Sequence, residues 1–350
     1  MTLLYFTLLY YSGKEDVLYF TLLFQSSTLS RARRLQTPRI PDSQIFDFPE
    51  SYTITLKNQP FLCIDQIIKR KTRVLVFASN EPLKLLFNSS VILMGSTFTS
   101  SPSIFSQVYC IHAIKYEQSF VCVFALLPDK KKSTYNFLFH ELRNKAAQLN
   151  MIFHPNTIMS DFEETLADVI KSDFSNSLHV GCYFHYTQAI YRKSQRPGLS
   201  SEYAADEEIR NACRKIMALA LMPVSLVLQA FDDLSELVLE SSTIKFNLLK
   251  PLFRYFENQW LKNVYIQRWN VYGLKLRTNN NCEGEENRFN HLLIQMKGGL
   301  QTQPKTKKTQ AIQQRIDTLY IRRDNGDVTS KELLEGLSFI VAKNIKPKRK

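Results

Sequence analysis

Apolar positions change their period along the chain, and the changes mark out elements. Between Phe46 and Ser89 the pattern is mixed. Tyr52-Thr-Ile-Thr-Leu56 and Thr72-Arg-Val-Leu-Val-Phe77 read as strands, with Leu62 to Ile68 as a short helix between them. Val91-Ile-Leu-Met94 is a continuous apolar run, as in a buried strand. Two more strands follow, Val108 to Ile114 and Phe120 to Leu127, with Tyr116-Glu-Gln-Ser119 turning between them. Tyr135 to Leu149 has helical spacing through Phe137, Phe139, Leu142, Ala146 and Leu149. Thr157-Ile-Met159 is a fourth short strand of this central stretch, ending in Ser160-Asp161. Glu163 to Phe174 is helical, Leu178 to Phe184 is a fifth strand, and Tyr186 to Lys193 starts another helix.

After Leu199 the pattern is helical throughout. Ile209, Cys213, Ile216, Met217 and Ala220 form one stripe over Asp206 to Leu221. Pro223 suits a helix start, and Val224, Val227, Phe231, Leu234 and Val238 continue the stripe. Leu248 to Trp260 reads as a third helix with Pro251 near its first turn. At the N-terminus Leu-Tyr-Phe-Thr-Leu-Leu occurs twice, at Leu4 to Leu9 and Leu18 to Leu23. That fits either a hairpin or a translated repeat. Arg31 to Pro41 is basic, carries Pro38 and Pro41, and reads as a linker.

A three-strand meander followed by helix, strand, helix, strand, helix is the RNase H-like order. The expected fold is α/β: a mixed five-stranded sheet flanked by helices, with an all-helical insertion. The expected organisation is an N-terminal segment and linker (residues 1–45), a small α+β lead-in (46–90) and the core (91–198). The helical insertion (199–269), a completion of the core (270–300) and a basic C-terminal helix or tail (301–350) come after it.

Composition narrows the class. Hydrophobic residues make up 44% and charged residues 22% of 350, enough for a packed core. The formal charge of +13 favours a polyanionic partner, nucleic acid first. Six cysteines are scattered with no Cys-x-x-Cys pair, which argues against a disulfide framework or a zinc ribbon. The apolar N-terminus lacks a basic n-region and is too short to span a bilayer as a helix, so no membrane is expected.

Several short motifs come in order. They are Leu93-Met-Gly-Ser-Thr-Phe98 with Pro102 and Phe105, Tyr109-Cys-Ile-His112, Ala125-Leu-Leu-Pro128, Ile158-Met-Ser-Asp-Phe-Glu163 and Gly181-Cys-Tyr-Phe-His185 with Gln188. Trp269-Asn-Val-Tyr272, Arg277-Thr-Asn-Asn280, Glu283-Gly284 and Asn287-Arg-Phe-Asn290 complete the series. From Ile92 to Leu293 the chain resembles the transposase domain of Mutator-like elements. The resemblance implies an RNase H-like DNA strand-transfer enzyme with three carboxylates, holding two Mg²⁺ or Mn²⁺ ions roughly 3.5–4 Å apart. Asp161 matches the second acid and Glu283 the third. A helix N-cap is the plainer reading of Asp161, and a solvated charged face that of the neighbouring Glu285 and Glu286.

The first acid should stand where this chain has Gly95, in Gly95-Ser96-Thr97-Phe98, and no Asp or Glu lies between Glu81 and Glu117. The expectation is an inactive or strongly weakened transposase. The alternatives are a domesticated, non-catalytic DNA-binding protein on the same scaffold, or a decayed transposon product. Cys182 and His185 form the family's Cys-x-x-His signature. Zinc is one reading, with His154 or His179 as further ligands, and a buried cysteine with a hydrogen-bonded histidine is the other. Lys130, Lys131 and Lys132 are the candidate DNA contacts, along with Lys305 to Lys308 and Lys346 to Lys350. No Cys/His spacing before residue 90 fits a zinc finger. The implied partners are DNA and a second copy of the chain, and the implied compartment is the nucleus.

Overall fold

The computed structural model describes residues 41–55, 58–69, 72–97, 101–279 and 307–341. The duplicated N-terminal hexapeptide, Glu283 and the lysines from Lys346 onward lie outside them.

In chain order the first elements are β1 (Leu62–Lys69), β2 (Thr72–Phe77), α1 (Asn80–Phe87), β3 (Val91–Thr97), β4 (Gln107–Lys115) and β5 (Gln118–Leu127). They are followed by α2 (Lys132–Gln148), β6 (Thr157–Ser160), α3 (Glu164–Asp173), β7 (Leu178–Gly181) and α4 (Tyr183–Ser194). The helices after β7 continue as α5 (Leu199–Ala205), α6 (Glu207–Ala218), α7 (Val227–Leu239), α8 (Thr243–Phe256) and α9 (Ile266–Trp269). A π-helical segment, Glu257–Asn263, separates α8 from α9. The last two helices are α10 (Lys307–Asp324) and α11 (Ser330–Val341).

The sheet has seven strands rather than the expected five, in the order β1-β2-β5-β4-β3-β6-β7. β2 adds to the outer edge of β5, with Leu75 opposite Leu126, and β1 adds to β2. The meander β3-β4-β5 is antiparallel. β3 and β6 start side by side, because the Ser90 carbonyl accepts from both Asn156 N–H and Thr157 N–H. β6 and β7 run parallel: Leu178 N–H donates to Asn156 at their start, and Cys182 N–H donates to Ser160 at their end.

Several expected elements differ. Leu62 to Ile68 is strand β1, not a helix. The described part of the next expected strand, Tyr52 to Thr55, is not a strand: a 3-10 turn occupies Glu50–Tyr52, and an isolated Ile54–Pro60 bridge follows. The fifth strand of the central stretch stops at Gly181, and the next helix begins at Tyr183, earlier than expected. Pro251 lies inside α8, because Ser242 caps that helix by accepting from Lys245 N–H at 3.4 Å, well before Leu248.

The chain divides into two compact units. The first holds the described residues up to Ile158, Glu163–Leu178 and Asn279, and the second holds Met159–Phe162, His179–Thr278 and residues 307–341. One core of the first unit joins Ile92, Met94, Tyr109, Ile111 and Val123 to Tyr135, Leu138, Phe139 and Leu142 of α2 and Leu166, Val169 and Ile170 of α3. The α2 residues recur at three- and four-residue steps, so one helix face is buried. Burying each large side chain contributes about 1.5–3 kcal/mol. A smaller cluster gathers Phe61, Leu75, Phe77, Phe105, Val108, Cys110 and Leu126.

The second unit is built on aromatic packing. Trp269 is fully buried and stacks on Tyr186, with ring centroids 5.1 Å apart and planes 6° apart. Phe256 and Trp260 meet Tyr186 edge-on. Trp269 Nε1–H donates to the Trp260 carbonyl at 2.6 Å, and the Tyr186 hydroxyl donates to the Ile216 carbonyl at 2.8 Å. α6 starts at Asp206, whose side chain accepts from the N–H groups of Glu208 and Ile209.

Candidate functional site

Gly95 is buried on β3, opposite Cys110 of β4. Its neighbour Met94 points the other way, into the helix-covered core, as the two-residue period of a strand requires. The Met94 carbonyl accepts a hydrogen bond from the side-chain amide of Asn279 at 3.0 Å. Asn279 is 1% exposed. It is the first residue of the polar cluster that precedes Glu283, and it is itself tied to β3 one residue from Gly95.

Asp161 directly follows β6 and is partly buried. It is not a helix cap: α3 begins at Glu164, with Glu163 in the cap position. Three residues of the second unit hold the backbone here. The Asp161 carbonyl accepts from the Ser160 hydroxyl at 2.9 Å and from Arg268 Nη2 at 3.4 Å. The Phe162 ring packs edge-on against Trp260 at 4.8 Å, with the Arg268 guanidinium 5.7 Å from its centroid. Gly181 faces the same ring. A Cβ at Gly181 would stand 2.3 Å from Phe162 and 3.1 Å from the Arg268 carbonyl, so only glycine leaves the ring its place.

Glu163, expected in the first helical turn, caps α3 without a capping hydrogen bond. Its carboxylate accepts from the Tyr135 hydroxyl at 2.9 Å and pairs with Lys130 at 3.5 Å. Gln107 Nε2 donates in turn to the Tyr135 oxygen at 3.0 Å. Of the lysine run, Lys130 is thus engaged with Glu163 and Lys131 with Asp129 at 2.9 Å, while Lys132 opens α2.

Cys182 and His185 bracket the start of α4. Cys182 is fully buried in the N-cap position, and its side chain makes no capping bond. His185 lies in the first turn, its ring 5.8 Å from that of Phe184. Among the described residues, no group of three or more His, Cys, Asp or Glu side chains is placed to hold a metal ion.

His179 is hydrogen-bonded through Nε2 to the Ser160 hydroxyl at 2.8 Å. Burial, and then the Arg268 charge, push its pKa down from 6.5 to about 3. The folded imidazole therefore stays neutral where the unfolded one takes up a proton. Its contribution to stability is complete above about pH 6.5 and is lost as the pH falls toward 3, by up to ~1.4 kcal/mol per pH unit. Urea unfolding at pH 7 and pH 4.5 should show a shallower loss for His179→Gln than for the wild type. Parallel losses in the two proteins would remove His179 as the cause.

Residues 91–189 match the family model of the MULE transposase domain. Over this stretch the chain is similar to a MULE transposase domain. The match opens on the first residue of β3 and closes within α4, so it takes in Gly95, Asp161, Cys182 and His185. β1, β2 and the helices from α5 onward lie outside the matched residues. No curated protein matches the chain. Among the described residues, no helix is long and apolar enough to cross a membrane.

Sequence reading missed Arg268, Trp260 and the Tyr135–Glu163 pair. Nothing in the local pattern joins Phe162 to Trp260 across nearly one hundred residues. The one available signal was Arg268 standing directly before the Trp269 motif.

Proposed function

We propose that this transposase-derived chain keeps the scaffold of a two-metal DNA strand-transfer enzyme with its first acid replaced at Gly95. Asp161 and Glu283 are the remaining acids. The observation that supports the reading best is the hydrogen bond from Asn279 to Met94, since it ties Asn279, four residues before Glu283 in the sequence, to β3 beside Gly95. The completed fold is then RNase H-like, with α5 to α9 as the insertion before the third acid.

Mg²⁺ or Mn²⁺ bound by three carboxylates would activate the attacking water or 3′-hydroxyl and stabilise the leaving oxygen. The donor set here does not fit that pair of ions. Glycine offers no side-chain ligand, and no Asp or Glu occurs between Glu81 and Glu117 to replace it. The chain therefore handles DNA without efficient strand cleavage, as a domesticated binding protein would. Its partners are DNA and a second copy of itself, and its place of work is the nucleus. Zinc at Cys182 and His185 would need two more ligands.

The test is nicking of supercoiled plasmid by the full chain with Mg²⁺ or Mn²⁺. The expected rate equals the background of Asp161→Ala. Turnover that Asp161→Ala abolishes would overturn the loss of activity.

A further inference from the structure

α4 and α8 pack against each other in the second unit, and neither contains an acidic residue. Together with the residues just after α4 they present five cations: Arg192, Lys193, Arg196, Lys250 and Arg254. None of the five has a carboxylate within ion-pair distance among the described residues, whereas their neighbours do. Lys245 is held by Asp206 at 2.9 Å and by Glu208, and Glu257 is taken by Lys262 at 2.7 Å. Arg192, Arg196, Lys250 and Arg254 are exposed. Lys193 Nζ stands 4.5 Å over the Tyr255 ring, which joins the two helices.

The exposed positions of α8 are Thr243, Ile244, Asn247, Lys250, Pro251 and Arg254, and the polar ones among them recur at three- and four-residue steps. Lys250 and Arg254 are about 6 Å apart along the axis. Like charges gathered on packed helices repel one another, and this lowers stability unless a polyanion answers them. Arginine, lysine, asparagine and tyrosine are the side chains that contact phosphate and sugar.

We infer that the α4–α8 face binds the phosphodiester backbone of duplex DNA, independently of sequence. The assignment rests on the reading that the chain handles DNA. It assigns the contact to residues of the second unit rather than to Lys130, Lys131 and Lys132, two of which are engaged with carboxylates of their own unit.

The test is anisotropy of a labelled random-sequence duplex titrated with the full chain between 50 and 200 mM salt. Each lost phosphate contact flattens the slope of log K against log salt by about 0.9. The triple variant Arg192→Gln/Arg196→Gln/Arg254→Gln should lose about 2.7 from the slope and bind at least ~10-fold more weakly at the lowest salt. Arg254→Gln alone should lose about 0.9. The variant Lys130→Gln/Lys131→Gln/Lys132→Gln should keep most of the slope. If the wild type binds and the α4–α8 variants keep its slope, the assignment falls and the DNA reading stands. Absence of duplex binding by the wild type overturns both. Tighter, equally salt-dependent binding to an RNA hairpin would overturn duplex DNA as the ligand.

Discussion

Gly95→Asp should nick plasmid DNA with Mn²⁺ or Mg²⁺ well above the rate of the wild type. The restored ligand should supply at least ~1000-fold in rate, equivalent to about 4 kcal/mol in the barrier. The substitution has a structural price as well. Gly95 is buried opposite Cys110, itself part of the cluster with Phe105 and Val108. A lone carboxylate there is destabilising until a cation joins it. The variant should therefore be less stable than the wild type without metal and should regain stability with it. At a metal concentration 100 times Kd the gain is about 2.7 kcal/mol, or on the order of 5 °C in Tm. Gly95→Asn, of the same shape without the charge, should show neither the metal response nor the cleavage. Equal responses to Mn²⁺ in Gly95→Asp and the wild type would exclude a metal site at this strand end.

Trp269→Ala should be the most damaging single truncation in the second unit. The ring has no exposed surface, stacks on Tyr186, meets Phe256 at 5.8 Å, and donates to the Trp260 carbonyl. Removing a buried tryptophan costs about 3–5 kcal/mol. Leaving the Trp260 carbonyl without its donor adds about 1–3 kcal/mol. Trp269→Phe keeps most of the stacking and should cost only the hydrogen bond and part of the volume. The chain has two tryptophans, so in both variants Trp260 alone reports urea unfolding of this unit by fluorescence. A midpoint shift worth less than ~1 kcal/mol in Trp269→Ala would show that the aromatic stack does not hold the unit together.

The middle of the fold was legible in the sequence because its signals agree. β4 and β5 are apolar runs around a polar turn, α2 has a clear helical period, and the apolar run before Asp161 is short enough to be a strand. The edge was not. β1 carries register shifts between Leu62 and Ile64 and between Ile67 and Lys69, and these bulges break the two-residue alternation. Ile64, Ile67 and Ile68 then fall at three- and four-residue steps, which is the helical signature. Tyr52 to Thr55 failed in the opposite way: its alternation is strand-like, but a 3-10 turn takes up its start and the Ile54–Pro60 pairing is an isolated bridge rather than a ladder. Motif order alone pointed to Gly95 and Asp161 as candidate positions. It could not point to what fixes the Asp161 backbone, because Phe162, Trp260, Gly181 and Arg268 meet only after the chain has folded.

The two strands appended to β5 bear on how the protein can be dissected. A fragment trimmed to the matched span would begin at Val91 and leave the β5 backbone from Phe124 to Leu126 with open donors and acceptors where Leu75, Val76 and Phe77 had been. An uncovered apolar edge of that kind templates pairing with other chains. Soluble pieces of this protein should start upstream of Gln44, whose side chain accepts from Arg73 N–H and so buttons the leading segment onto β2.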